Sequence, residues 1–191
     1  MSKVRLAIFA SGEGTNAENI IRHFEGHPRL EVALVVSNRS KAGVLSRAEK
    51  LGVETLFISR EDWNDDEMVL EALEAYSVHW IVLSGFLLMV PAYLIKAFPD
   101  RIVNIHPALL PRFGGKGMYG MHVHNAVKQA GEKESGITIH MVNEAYDEGR
   151  VVFQATAALT AADTPEDIRN KVQELEHVHF ARVIESLVVA P

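Results

Sequence analysis

The chain has 191 residues, 48% of them hydrophobic, which suits one domain spanning 1–191 with a sizeable core. Lys and Arg number 19 against 25 Asp and Glu, a net charge of −6, so no nucleic acid and no anionic membrane is expected as a partner. Cysteine is absent, which excludes disulfides, thiol nucleophiles and thiolate metal sites. The first apolar run stops at Ser11 and Gly12, too short for a signal peptide, and no run reaches the roughly 18 apolar residues of a membrane span. A cytoplasmic protein is expected.

In chain order, short apolar runs alternate with helical patterns. Val4 to Ala10 predicts a strand buried on both faces, followed by a helix over Ala17 to Phe24. A strand at Glu31 to Val36 leads to a helix at Ala42 to Leu51, stopped by Gly52. Val53 to Ile58 then precedes a helix at Asp65 to Tyr76, and His79 to Leu83 a short helix at Ala92 to Phe98. Ile102 to His106 is a fifth strand. Such βα repetition predicts an α/β fold, a mostly parallel Rossmann-like sheet with right-handed crossovers and helices on both faces. Beyond residue 130 the rhythm changes. Gly136 to Val142 and Val151 to Ala158 predict two strands joined by a turn, before a long helix opened by Thr164-Pro165-Glu166-Asp167.

Four stretches carry chemistry. Ser11-Gly12-Glu13-Gly14-Thr15-Asn16 lies between a strand and a helix, where glycine backbones and helix N–H groups attract anions. The spacing also fits a dinucleotide site, but the second strand ends Ser37-Asn38 without the acid that usually holds ribose. A monophosphate site, a dinucleotide site and a plain tight turn all remain open. Asn104 and His106 leave one face of the fifth strand, where Pro107 turns the chain outward. An amide can hold a developing oxyanion, and an imidazole can move a proton near neutral pH. Asp147, in Asp147-Glu148-Gly149, is either a turn residue or a carboxylate held against His106 that raises the imidazole pKa. Arg112 to Gly120, with four glycines, reads as a mobile loop over the site. The pairs His122/His124 and His177/His179 do not share a helix face, so no metal site is expected and the histidines read as solvated or cap-bound.

Taken together, the Ser-Gly-Glu-Gly-Thr-Asn loop, Leu83-Ser84-Gly85-Phe86, Asn104-Ile105-His106-Pro107-Ala108-Leu109-Leu110-Pro111 and Asp147-Glu148-Gly149 resemble the folate-dependent formyltransferases. Within them, the likeness is to the phosphoribosylglycinamide formyltransferase enzymes of purine biosynthesis, over about residues 4 to 187. The resemblance implies a formyltransferase fold with antiparallel strands near the carboxyl end. It implies formyl transfer from 10-formyltetrahydrofolate, a co-substrate, to the amine of phosphoribosylglycinamide. It makes Asn104, His106 and Asp147 the catalytic residues. Gly14, Thr15 and Asn16 would hold the substrate phosphate, with Glu176 near the glycinamide end. Leu87, Leu88, Met89, Val90, Asn104, His140, Asn143, Glu144, Ala145, Tyr146 and Asp147 would form the folate pocket. Leu88 stands where the family often has Arg, and the loop from Phe113 to His124 is longer and richer in glycine than in many relatives. Two alternatives accompany this reading. A formyltetrahydrofolate deformylase would share the three catalytic residues but usually carries an N-terminal regulatory domain. A Rossmann protein, NAD-dependent or non-catalytic, would share only the glycine loop.

Overall fold

The alternation of apolar residues along the first strand sets the layers in the computed structural model, which describes residues 2–189. Met1 and residues 190–191, the outermost positions of the expected domain, lie outside the described residues. In β1 (Val4–Phe9), Leu6 and Ile8 enter one hydrophobic cluster while Ala7 and Phe9 enter another. Both clusters are buried, so a strand with no polar face is what the fold requires. β2 (Leu30–Ser37), β3 (Glu54–Phe57), β4 (Trp80–Leu83) and β5 (Ile102–His106) continue the parallel sheet. β6 (Glu134–Met141) and β7 (Val151–Ala158) add antiparallel pairings, completing seven strands in the order β3-β2-β1-β4-β5-β6-β7.

α1 (Thr15–His23), α2 (Gly43–Lys50) and α6 (Pro165–Val189) cover the first face through Ile20, Val44 and Phe180. α3 (Asp66–Ala75) and α4 (Ala92–Ala97) cover the second through Val69, Leu73 and Leu94. Local sequence explains the helix starts. Asp65 caps α3 by accepting from the Met68 N–H at 3.0 Å. Thr164 and Asp167 cap α6 reciprocally, each side chain accepting from the other's backbone N–H. On the second face Phe9 meets Trp63 edge-on at 5.7 Å, and each such buried aromatic contributes about 1.5–3 kcal/mol.

One helix escapes the sequence pattern. α5 (Met121–Gln129) follows the glycine-rich loop, which therefore ends at Gly120 and not at His124. Its His, Val and Asn residues have weak helix propensity; burial of Val123 and Val127 against α6 and the sheet holds it. Among the described residues no helix is long and apolar enough to cross a membrane. The strand order reverses between β1 and β4, and open α/β sheets hold ligands outside the strand ends at such a point.

Candidate active site

A cavity of about 760 Å³ opens there, floored by the carboxyl ends of β1, β4 and β5. Its volume suits a small organic ligand. Every site residue expected from sequence lines it, from Gly14, Thr15, Asn16 and Glu176 through Leu87–Val90 to His140 and the 143–147 turn.

At the β5 wall, strand parity delivers two side chains and register delivers a third. Asn104 lies opposite His140 on β6, and His106 opposite Thr138. Asn104 Nδ2 therefore reaches His140 Nε2 at 3.0 Å, while His140 Nδ1 lies 3.0 Å from the Met141 carbonyl. With the proton on Nδ1, His140 donates to that carbonyl and accepts from the amide. One Asn104 N–H is thereby committed and the other is left for the cavity. His140, expected in the folate pocket, thus also orients the amide.

Asp147 reaches both histidines, with Oδ2 at 3.5 Å from His106 Nδ1 and Oδ1 at 3.5 Å from His140 Nε2. The turn that places it depends on Gly149, since a Cβ there would lie 1.6 Å from the Met141 carbonyl oxygen. Close backbone approach, and not a left-handed torsion, is the reason for that glycine; Asp147 itself carries the positive φ of 57°. The Arg112–Gly120 loop, expected to be mobile, is tied at its near end. His106 Nε2 donates to the Phe113 carbonyl at 2.8 Å, and the Gly115 N–H donates to Asp147 Oδ2 at 2.9 Å.

Electrostatics here correct one expectation. Burial pushes the His106 pKa below its usual value, outweighing the Asp147 carboxylate and the Phe113 carbonyl, which both act to raise it. The expected net rise does not occur, because the ring is nearly sealed from water whereas the carboxylate stands 3.5 Å off. Burial also acts to raise Asp147, but its contacts with His140, His106 and the Gly115 N–H together hold it below the usual carboxylate range.

The opposite end is built by the glycine turn. No side chain caps α1, whose first-turn N–H groups are open to an anion. Gly14, at φ 77°, is required by packing as much as by any ligand, since a Cβ would lie 2.4 Å from Val44 Cγ2. Asn16 Nδ2 donates to Glu176 Oε2 at 2.8 Å and leaves Oδ1 buried without a partner. A bare acceptor suits a hydroxyl better than a phosphate. The Asn16 side chain thus offers an acceptor for a hydroxyl, and the turn backbone offers donors for an anion. Burial raises the Glu176 pKa against the Asn16 hydrogen bond. At the end of β2, Asn38 Oδ1 accepts from Ser11 Oγ at 2.5 Å, so no carboxylate is offered to a dinucleotide ribose.

Between the two ends the rim is apolar. Leu87, Met89, Tyr119 and Tyr146 are exposed around the mouth, whereas Val90 is buried and Leu88 packs on the second cluster. Leu88, at the position where the resemblance leads one to expect Arg, is partly buried and touches both that cluster and the cavity. Among the described residues no group of three or more His, Asp or Glu is placed to hold a metal ion. Several cavity residues had no sequence signal, including Arg39 and Arg169. The expectation of a solvated or cap-bound histidine is wrong for His124, which is 3% exposed on the inner face of α5.

A Rossmann-like sheet with antiparallel strands appended after an Asn-x-His strand is the architecture expected of the formyltransferase class. The chain belongs to the formyl transferase family, whose model matches residues 4–184. It is 39% identical over 186 residues to the chloroplastic phosphoribosylglycinamide formyltransferase of Arabidopsis thaliana, covering 94% of this chain and 64% of that one. It is 31% identical to the phosphoribosylglycinamide formyltransferase of Bacillus subtilis, covering 96% and 94%. The crystal structure of phosphoribosylglycinamide formyltransferase from Brucella melitensis superposes with a TM-score of 0.88 at 31% identity, covering 100% of this chain and 98% of that one. The chain spans 64% and 60% of the two plant relatives, and 18% of the Gallus gallus trifunctional purine biosynthetic protein.

Proposed function

We propose that this chain transfers a formyl group from 10-formyltetrahydrofolate to the amine of phosphoribosylglycinamide. The observation that carries the reading is the convergence of Asn104, His106 and Asp147 on one wall of a cavity whose far end is an uncapped helix N-terminus. An amine, a formyl carbon and a phosphate all find complementary groups along that line. Apolar Leu87, Met89, Tyr119 and Tyr146 suit the flat rings of a folate, and Glu176 with Asn16 suits a sugar. We also take the chain as one catalytic domain, supported by its single sheet, and set the reaction in the cytoplasm.

Asn104 offers its free N–H to the oxyanion that forms as the amine attacks, and His106, whose ring nitrogens face the Phe113 carbonyl and Asp147, contributes the positive charge of its protonated ring. The new C–N bond forms as the carbonyl electrons move onto oxygen, and the bond to the folate nitrogen breaks when the oxyanion collapses. The proton lost by the amine ends on that nitrogen, passed by His106 or a water it holds. Asp147 favours the imidazolium and fixes the ring. No covalent enzyme intermediate is needed.

The test is tetrahydrofolate formation from 10-formyltetrahydrofolate with and without phosphoribosylglycinamide. Product that depends on the ribonucleotide supports transfer. Equal product without it identifies a deformylase, in which water replaces the amine. No product in either case, with nicotinamide cofactor fluorescence responding to the protein, returns the site to a dinucleotide.

A further inference from the structure

We infer that His124 is a substrate-positioning residue whose imidazole accepts a hydrogen bond from the attacking amine and aims its lone pair at the formyl carbon. The inference rests on the proposed reaction and adds a residue to it.

Three histidines are buried among the described residues, and two are engaged through both ring nitrogens. His106 meets the Phe113 carbonyl and Asp147; His140 meets Asn104 and the Met141 carbonyl. His124 differs, since its Nδ1 is buried and has no hydrogen-bond partner. Buried polar atoms are nearly always paired, so a bare one on a residue that lines a cavity points to a ligand as the missing partner. At this position, between Val123 and near Val127 on the inner face of α5, an apolar residue would pack without that deficit.

Location names the ligand group. His124 lies on the cavity wall, as do His106 and Arg169, and both are within electrostatic reach of it. It shares the cavity wall with His106 and with the α6 residues Gln173 and Glu176, and its helix packs on α6. The part of phosphoribosylglycinamide that bridges those two places is its glycinamide arm, ending in the amine. Burial, with Arg169 and His106 adding to it, pushes the His124 pKa down to about 4. The ring is thus neutral at working pH and presents an acceptor. The same positive neighbours disfavour an ammonium and so help keep the arriving amine neutral, the form that can attack.

The experiment compares wild type with H124F, H124L and H124Q, each assayed for formyl transfer and melted without ligand. H124F and H124L should melt at or above the wild-type temperature, because a bare polar atom has been removed. Their kcat/KM for phosphoribosylglycinamide should fall about 10- to 100-fold while the Kd for tetrahydrofolate stays unchanged. H124Q, which restores a neutral acceptor, should recover most of the loss. H124L carries the same readout where the larger Phe ring does not fit. Wild-type kcat/KM in H124F or H124L overturns the inference, as does an equal loss of tetrahydrofolate affinity. A wild-type protein that forms no product from phosphoribosylglycinamide overturns the proposed reaction instead.

Discussion

His106 carries opposing influences in one ring. Its Nε2–H is committed to the Phe113 carbonyl, so Nδ1, which faces Asp147, is where the exchangeable proton resides. Burial lowers the pKa and the carboxylate acts to raise it, and burial prevails. Asp147→Asn preserves shape and removes the charge. His106, followed by NMR titration, should therefore fall further below 6.5 than in wild type. The activity deficit should be smallest in acid, should widen as pH rises from the variant's lower His106 pKa to that of wild type, and should level off above it, since less imidazolium survives. An unchanged or higher His106 pKa in the variant would refute the electrostatic role. Asn104→Ala removes an oxyanion donor and His106→Ala removes the positive charge beside it, and in each turnover should drop at least about a hundredfold. Steady-state assay decides, and wild-type turnover in either would sink the mechanism.

The turn entering α1 combines two demands that mutation can separate. Gly14 faces Val44 of α2, and its φ of 77° is one that side chains tolerate poorly. Gly14→Val should therefore lower the melting temperature of the ligand-free protein, because the clash includes the Val44 backbone at 2.7 Å and has no flexible end to yield. Asn16→Leu touches the cavity and not α2. It should weaken the phosphorylated substrate at least about tenfold by calorimetry and leave tetrahydrofolate binding intact, since it removes the amide that pairs with Glu176 and the bare acceptor beside it. Equal losses for both ligands would remove the turn from the ribonucleotide site.

Across the molecule, the cavity lies where two separately packed hydrophobic clusters leave the strand ends uncovered. That position explains why so many of its polar groups are half-sealed from water, and it links the site to stability. His124, with a folded pKa of about 4, binds its proton less readily than the unfolded chain does near 6.5. The unfolded state therefore holds more protons between those values, and stability must fall as pH drops from about 6.5 toward 4. Glu176, raised by burial, acts in the opposite sense above the ordinary carboxylate range. It is common to wild type and H124F, so the difference between their unfolding curves isolates the histidine. That difference should grow in favour of H124F as pH falls; parallel curves would mean that His124 is solvated.

Period and chain order were enough to place the parallel βα units, the two late strands and the face shared by Asn104 and His106, while the antiparallel pairing of those strands came from the family resemblance. Each depends on spacing along a few residues, which a strand or helix preserves wherever it packs. Asn104 and His106 were legible because Pro107 marks the strand end and alternation puts both on one side. Other features had no local mark. α5 is a poor helix by propensity, formed because Val123 and Val127 find α6. The meeting of Asp147 with His106 joins residues far apart in the chain, through a β6–β7 turn pressed on the Met141 carbonyl. The net lowering of His106 and the bare nitrogen of His124 depend on how much water the assembled walls exclude. Burial belongs to the packed chain and to no segment of it, so sequence could name the charges around His106 but not the balance among them.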